Sequence, residues 1–249
     1  MKNFICFLLL SLSISVHQNS YANLDFKQGI YVGLSSQFFK SKSYNLFVNS
    51  YNEVNKSTLT KKLEPSTLIN GICIGYSIYN HNLMFQLEYN TLTGSKNAEF
   101  NDNGYRKMKT SNNNVNITMG IFKQNKESKF YFHPYFGIGL GSNKIVSSYT
   151  KGTNTNNTGE LLNGTYKTSC INFNYGIQLQ TNNKLKNYFI KLQINSPLAV
   201  STMYEKESTK ILATDYKSYT NSQLFYSGDA VSSDFKGLNI QFGMLVRLD

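Results

Sequence analysis

Apolar and polar residues alternate with a period of two along most of this chain, the pattern of β-strands with one greasy face and one polar or small face. Over residues 29–39, Ile30, Val32, Leu34 and Phe38 oppose Gly29, Tyr31, Gly33, Ser35 and Gln37. The same alternation predicts strands over 68–79, 83–93, 114–123, 129–146, 167–181, 187–195 and 236–248, eight in all. In the fifth, Phe130, Phe132, Phe136, Ile138 and Leu140 face away from Tyr131, His133, Tyr135, Gly137, Gly139 and Gly141, and Pro134 hints at a bulge or a strand start. In the last, Leu238, Ile240, Phe242, Met244, Val246 and Leu248 oppose Asn239, Gln241, Gly243 and Arg247. No segment carries a long helical period or about 18 consecutive apolar residues, which excludes helical membrane spans.

The spacing of these strands adds a second pattern. The connections after strands two, four and six are short, around Asn80-His81-Asn82, 124–128 and 181–186. Those after strands one, three, five and seven, residues 40–67, 94–114, 144–166 and 196–233, are expected to be long loops. Strict alternation of short and long connections predicts an all-β fold: an eight-stranded antiparallel up-and-down transmembrane β-barrel with short periplasmic turns and four long extracellular loops. A bilayer tolerates no open sheet edge, so the strands must close. A soluble sandwich or periplasmic ligand-binding barrel would turn its apolar faces inward and would need charge on the other faces. Those faces hold mostly Gly, Ser, Asn, Gln and Tyr.

The start of the chain supplies a route to that membrane. Lys2 precedes an apolar run from Phe4 to Val16, too short to span, and Ser20-Tyr21-Ala22 presents small residues before Asn23. Residues 1–22 therefore read as a cleaved signal peptide and 23–249 as the barrel. Cys6 lies inside the apolar run, away from a lipoprotein cleavage motif. The two remaining cysteines, Cys73 and Cys170, fall on strands two and six, too far apart around the ring to bridge.

Charge and composition narrow the function. The chain carries +11, from 25 Lys+Arg against 14 Asp+Glu. The basic residues are dispersed, with short runs only at Lys61-Lys62 and Arg106-Lys107-Met108-Lys109, so nucleic-acid recognition is not expected. Three histidines, none at a metal-ligand spacing, leave no basis for a metal site or another cofactor. Gly137, Gly139 and Gly141 relieve crowding inside a narrow barrel, since no helix follows to make a dinucleotide loop. Neither His81 nor His133 stands in a hydrolase pattern, so no enzyme activity is expected. There is no Trp, which leaves Tyr and Phe to form any interfacial girdle.

Glu88, Lys191 and Arg247 fall on the polar faces of strands three, seven and eight. Buried charges need partners, so these three are expected to form a lumenal ionic network that fills a narrow interior.

The Gly-Ile-Tyr-Val-Gly strand at 29–33, the run His133-Pro134-Tyr135-Phe136-Gly137-Ile138-Gly139-Leu140-Gly141 and the closing strand resemble small Gram-negative outer-membrane barrels. In layout the chain is similar to the surface antigen family of rickettsia-like bacteria. The resemblance implies a bacterial outer-membrane location and a structural or adhesin-like surface antigen. It also implies a C-terminal assembly signal read by the insertion machinery: Gln241, Gly243, Val246 and Leu248 match its spacing, with Leu248 in the usual aromatic place and Asp249 beyond it. Expected partners are outer-membrane lipids, lipopolysaccharide and a host-surface ligand met by the loops. The other reading is a narrow porin-like channel for small solutes or ions.

Overall fold

The computed structural model describes residues 28–80, 83–121, 129–153, 162–181, 186–201, 203–205, 225–226 and 229–248. The signal segment 1–22, His81, Asp249 and most of 196–233 lie outside the described residues. Eight long strands build the molecule: β1 (Gln28–Lys40), β2 (Leu68–Asn80), β3 (Leu83–Phe100), β4 (Tyr105–Ile121), β5 (Phe130–Thr150), β6 (Gly164–Thr181), β7 (Lys186–Ala199) and β8 (Lys236–Leu248). Each pairs antiparallel with its neighbours in sequence, and β1 pairs with β8 along its whole length, from Gln28 opposite Leu248 to Lys40 opposite Lys236. The sheet is thus a closed barrel. Two short strands, Leu59–Lys61 and Tyr204–Glu205, add to β3 and β6.

Closure needs two backbones to approach at the β1–β8 seam. Gly33 faces Gly243 there, and a Cβ on Gly243 would lie 2.2 Å from the Val32 carbonyl oxygen and 2.6 Å from Gly33 Cα. Beside them Tyr31 and Phe189 pack edge to face, with ring centroids 5.4 Å apart.

The polarity of the wall is inside out for a water-soluble protein. Ile74, Phe85, Ile117 and Leu192, each from a different strand, are 50%, 42%, 59% and 37% exposed, while their neighbours Cys73, Gln86, Asn116 and Lys191 are buried. All eight strands contribute exposed Ile, Leu, Val or Phe to this belt. Along β5 the outward apolar positions run from Phe130 to Leu140. That is about 33 Å of strand, or about 25 Å of height at a tilt of about 40°.

Beyond the belt, toward the rim away from the start of β1 and the end of β8, the alternation inverts. In β3 Leu92, Ala98 and Phe100 turn inward while Thr93, Ser95, Asn97 and Glu99 face out. In β4 Arg106 and Met108 are buried while Lys107 and Lys109 are exposed. A strand that changes which face is greasy part-way along has changed its outer solvent, from apolar to aqueous.

Several expectations need correction; residues 144–150 and 164–166, expected within a long loop, continue β5 and β6, which pair as far as Ser147 opposite Gly164. Residues 94–114 are not a long loop: β3 and β4 continue in register from Gly94 opposite Thr110 to Glu99 opposite Tyr105. Only a tight turn joins them, with Asn103 in the left-handed region at φ 65°. The sequence alternates there too, but with the polarity reversed, so an apolar-out criterion ends the strand early. Pro134 marks neither a bulge nor a strand start. The β5–β6 register runs through it unbroken from Phe130 opposite Thr181.

Between β1 and β2 lies a helix that the period-two reading did not anticipate, α1 (Lys42–Val54). Ser41 caps it, its Oγ accepting from the Tyr44 amide at 3.0 Å. Asn55 closes it, donating to the Tyr51 carbonyl at 2.8 Å. Tyr44, Phe47, Val48 and Tyr51, at i, i+3, i+4 and i+7, form its buried stripe.

Candidate functional site

The barrel interior is filled at three levels. In the half of the lumen nearer the start of β1 and the end of β8, Glu88 is fully buried and accepts from four donors: Tyr31 Oη at 2.9 Å, Lys191 Nζ at 2.9 Å, Asn116 Nδ2 at 3.0 Å and Gln241 Nε2 at 2.9 Å. These side chains come from β1, β7, β4 and β8, so one carboxylate ties together strands around the ring. Lys191 is equally buried; it also donates to Gln86 Oε1 at 3.3 Å and stands 4.7 Å from the centre of the Tyr135 ring. A buried pair of this kind is tolerable only when its remaining hydrogen-bonding capacity is met, as it is here.

The structure brings Glu88 and Lys191 together and leaves Arg247 apart. Arg247 is partly exposed near the end of β8, opposite Gly29, and is not among the partners of Glu88. Gln241, matched in the sequence as part of an assembly signal, joins the network instead. Gly243 faces the seam, whereas Val246 and Leu248 point outward into the belt. Tyr31, Asn116 and Gln86 are the network members that sequence reasoning missed. The only available signal was their place on the inward faces, since uncharged polar residues raise no demand for a charged partner.

The middle level is an amide layer. Asn112 accepts from Asn114, Asn112 donates to Asn143 at 2.6 Å, and Asn174 donates to Asn116 at 2.8 Å. Gly139 makes room for this layer: a Cβ there would sit 2.5 Å from Asn116 Oδ1 and 2.7 Å from Asn174 Nδ2. The thiols of Cys73 and Cys170 are free and buried in the same interior. His133 is buried between Tyr79 and Tyr131, with ring centroids 6.1 and 6.3 Å away. Among the described residues there is no cluster of His, Cys, Asp or Glu able to hold a metal ion.

The third level is the helix. The stripe of α1 belongs to one buried apolar cluster with Phe39, Ile69, Leu92, Met108, Ile145 and Tyr166, inward side chains of six strands, and Tyr44 Oη lies 3.9 Å from Met108 Sδ. A buried cluster that gathers inward side chains from six strands of one closed ring lies inside that ring, so α1 is a plug in the mouth of the barrel. Burial raises the Tyr44 phenol above its ordinary range. Beside the plug, on the loop-rim side of Met108, Arg106 is buried, donating to Ser147 Oγ at 2.6 Å and to Tyr51 Oη at 3.2 Å, with the Tyr51 and Tyr149 rings 5.5 and 5.7 Å from its guanidinium carbon.

Two clamps hold the plug. The Asp234 carboxylate accepts from the amides of Lys42 and Ser43 at 2.8 and 3.2 Å, from Ser43 Oγ at 2.7 Å and from Ser41 Oγ. It places a negative charge at the positive end of the helix dipole. Asn52 makes a reciprocal pair with the backbone of Leu63, donating to its carbonyl and accepting from its amide, both at 2.8 Å.

These features define a class: a closed eight-stranded antiparallel barrel, apolar outside, polar inside and stoppered by an internal helix. Several solved outer-membrane barrels align with the chain. Ail, the attachment invasion locus protein of Yersinia pestis, solved with the heparin analogue sucrose octasulfate, aligns over 90% of this chain and 100% of its own at 12% identity and a TM-score of 0.47. Neisserial surface protein A aligns over 88% of this chain and 97% of its own at 9% identity and a TM-score of 0.35. The outer membrane protease OmpT of Escherichia coli aligns over 94% of this chain and 100% of its own at 9% identity and a TM-score of 0.41. No protein-family model and no curated protein sequence matches the chain.

Proposed function

We propose that this chain is an outer-membrane surface protein whose barrel displays its loop-side rim to the outside and conducts nothing through its lumen. The observation that carries the proposal is the continuous apolar belt on all eight strands, together with the inversion of polarity above it. Soluble monomers rarely expose apolar patches beyond a few hundred Å². In this reading residues 1–22 direct export, and the β8 segment Gln241, Gly243, Val246 and Leu248 is the strand that the insertion machinery receives. The rim carrying the start of β1 and the end of β8 faces the periplasm. The role is that of a surface antigen or adhesin-like scaffold in the manner of the rickettsial surface antigens. Its contacts are lipids and lipopolysaccharide around the wall and a host-surface ligand at the rim, and it performs no catalysis.

The alternative is a narrow channel. The filled lumen favours the display reading, because among the described residues the Glu88–Lys191 network, the amide layer and α1 lie in series along the lumen. Purified protein in planar bilayers should give no steady openings while migrating as a heat-modifiable band from the outer-membrane fraction. Reproducible solute-permeable openings would replace display with transport.

A further inference from the structure

Outside the lumen, one stretch of wall combines an apolar row with unbalanced charge. The register sets Phe38 opposite Leu238, Leu238 opposite Ile194 and Ile194 opposite Tyr175, a straight line across β1, β8, β7 and β6. The groove over this row has a volume of about 510 Å³. That is within the range of small-molecule sites, commonly about 300–1,000 Å³. Phe38, Leu238 and Ile194 are 50%, 39% and 42% exposed along it. One outward position nearer the loop rim, about 7 Å along the strands, Lys40 stands directly opposite Lys236, and both line the groove.

Like charges placed opposite one another across a ladder repel and destabilise the pair. Neither lysine makes an ion pair with a described residue. Asp234, two residues before Lys236, is committed to the α1 N-terminus. An anion between the two ammonium groups would turn the repulsion into attraction, and the apolar row leads from that point into the belt. We propose that this groove binds an acylated phosphate lipid of the outer leaflet, its phosphate held between Lys40 and Lys236 and one acyl chain lying along Phe38, Leu238, Ile194 and Tyr175. The proposal rests on the membrane reading above.

A second facing pair supplies an internal control. Lys144 stands opposite Lys167 on β5 and β6, but the outward row beneath it is Ser142 opposite Ser169, with no apolar floor for a chain. Lys40→Gln/Lys236→Gln and Lys144→Gln/Lys167→Gln therefore remove equal charge from different settings.

The test is native mass spectrometry of the full chain from detergent micelles with phosphatidic acid, with phosphatidylcholine of the same acyl chains, or with inorganic phosphate. The protein should retain one phosphatidic acid in preference to phosphatidylcholine, and inorganic phosphate at equal concentration should not displace it. Lys40→Gln/Lys236→Gln should weaken that retention about tenfold, and Lys144→Gln/Lys167→Gln less than about twofold. Equal retention in all three proteins, equal loss in both variants, or displacement by inorganic phosphate would overturn the lipid site. Heat-modifiable migration of the same samples separates the two levels. A normal barrel without the preference overturns the lipid site alone, and a chain that partitions into water overturns the membrane reading with it.

Discussion

Glu88 and Lys191 sit where neither can reach water, and their geometry fixes what their loss should do. Removing one partner strands the other as an uncompensated buried charge, whereas removing both leaves a neutral site. Lys191→Met should therefore destabilise the barrel by about 3 kcal/mol, and Glu88→Gln/Lys191→Met should recover most of that loss. The denaturant midpoint in detergent measures both. If the double variant were as unstable as the single one, the ion pair would be contributing packing rather than charge balance. Arg247 shows where sequence reasoning at this scale runs out. Parity along β8 puts Arg247 on the same face as Gln241, but depth within the barrel decides whether a charge on that face meets the network. Depth depends on strand register around the whole ring, which no single segment records.

At the scale of elements, the behaviour of α1 turns on Asp234, which lies nearly two hundred residues further along the chain. Four donors converge on its carboxylate, two of them amides of the first helical turn. Asp234→Ala should cost the helix about 1–2 kcal/mol, the usual range for losing a cap, and should speed amide exchange across Tyr44–Tyr51 by about 5- to 30-fold. Exchange in β3–β6 should stay unchanged; a matching acceleration there would mean that the plug and the wall unfold as one unit. The sequence did contain the signals for α1: a capping Ser41 and an apolar stripe at Tyr44, Phe47, Val48 and Tyr51. A period-two criterion passes over them, because Asn, Ser and Lys fill the other positions and the segment stands between strands. The eight strands of the belt were legible because lipid on one side and a polar lumen on the other enforce one polarity for ten residues at a time. Above the lipid the same strands obey the opposite rule, and residues 94–100 and 105–113 were lost to the expected loops for that reason.

The whole molecule is a ring that separates three surroundings: lipid against the belt, water around the upper wall, and a closed interior divided among ion pair, amides and plug. The proposed display role rests on the filled interior, and the proposed lipid groove beneath Lys40 and Lys236 rests on the edge where the apolar belt gives way to polar wall. Every one of these depends on which side of the wall the apolar residues face in the native environment. Ile117 is 59% exposed and its neighbour Thr118 is 2% exposed, so the two lie on opposite sides of one strand. Spin labels at Ile117→Cys and at Thr118→Cys, each in a Cys73→Ser/Cys170→Ser background and reconstituted into lipid vesicles, measure the orientation directly. Frequent collisions with lipid-soluble oxygen are expected for the Ile117 label and few for the Thr118 label. The opposite ranking, or a labelled protein that stays in the aqueous phase, would contradict a lipid-facing belt.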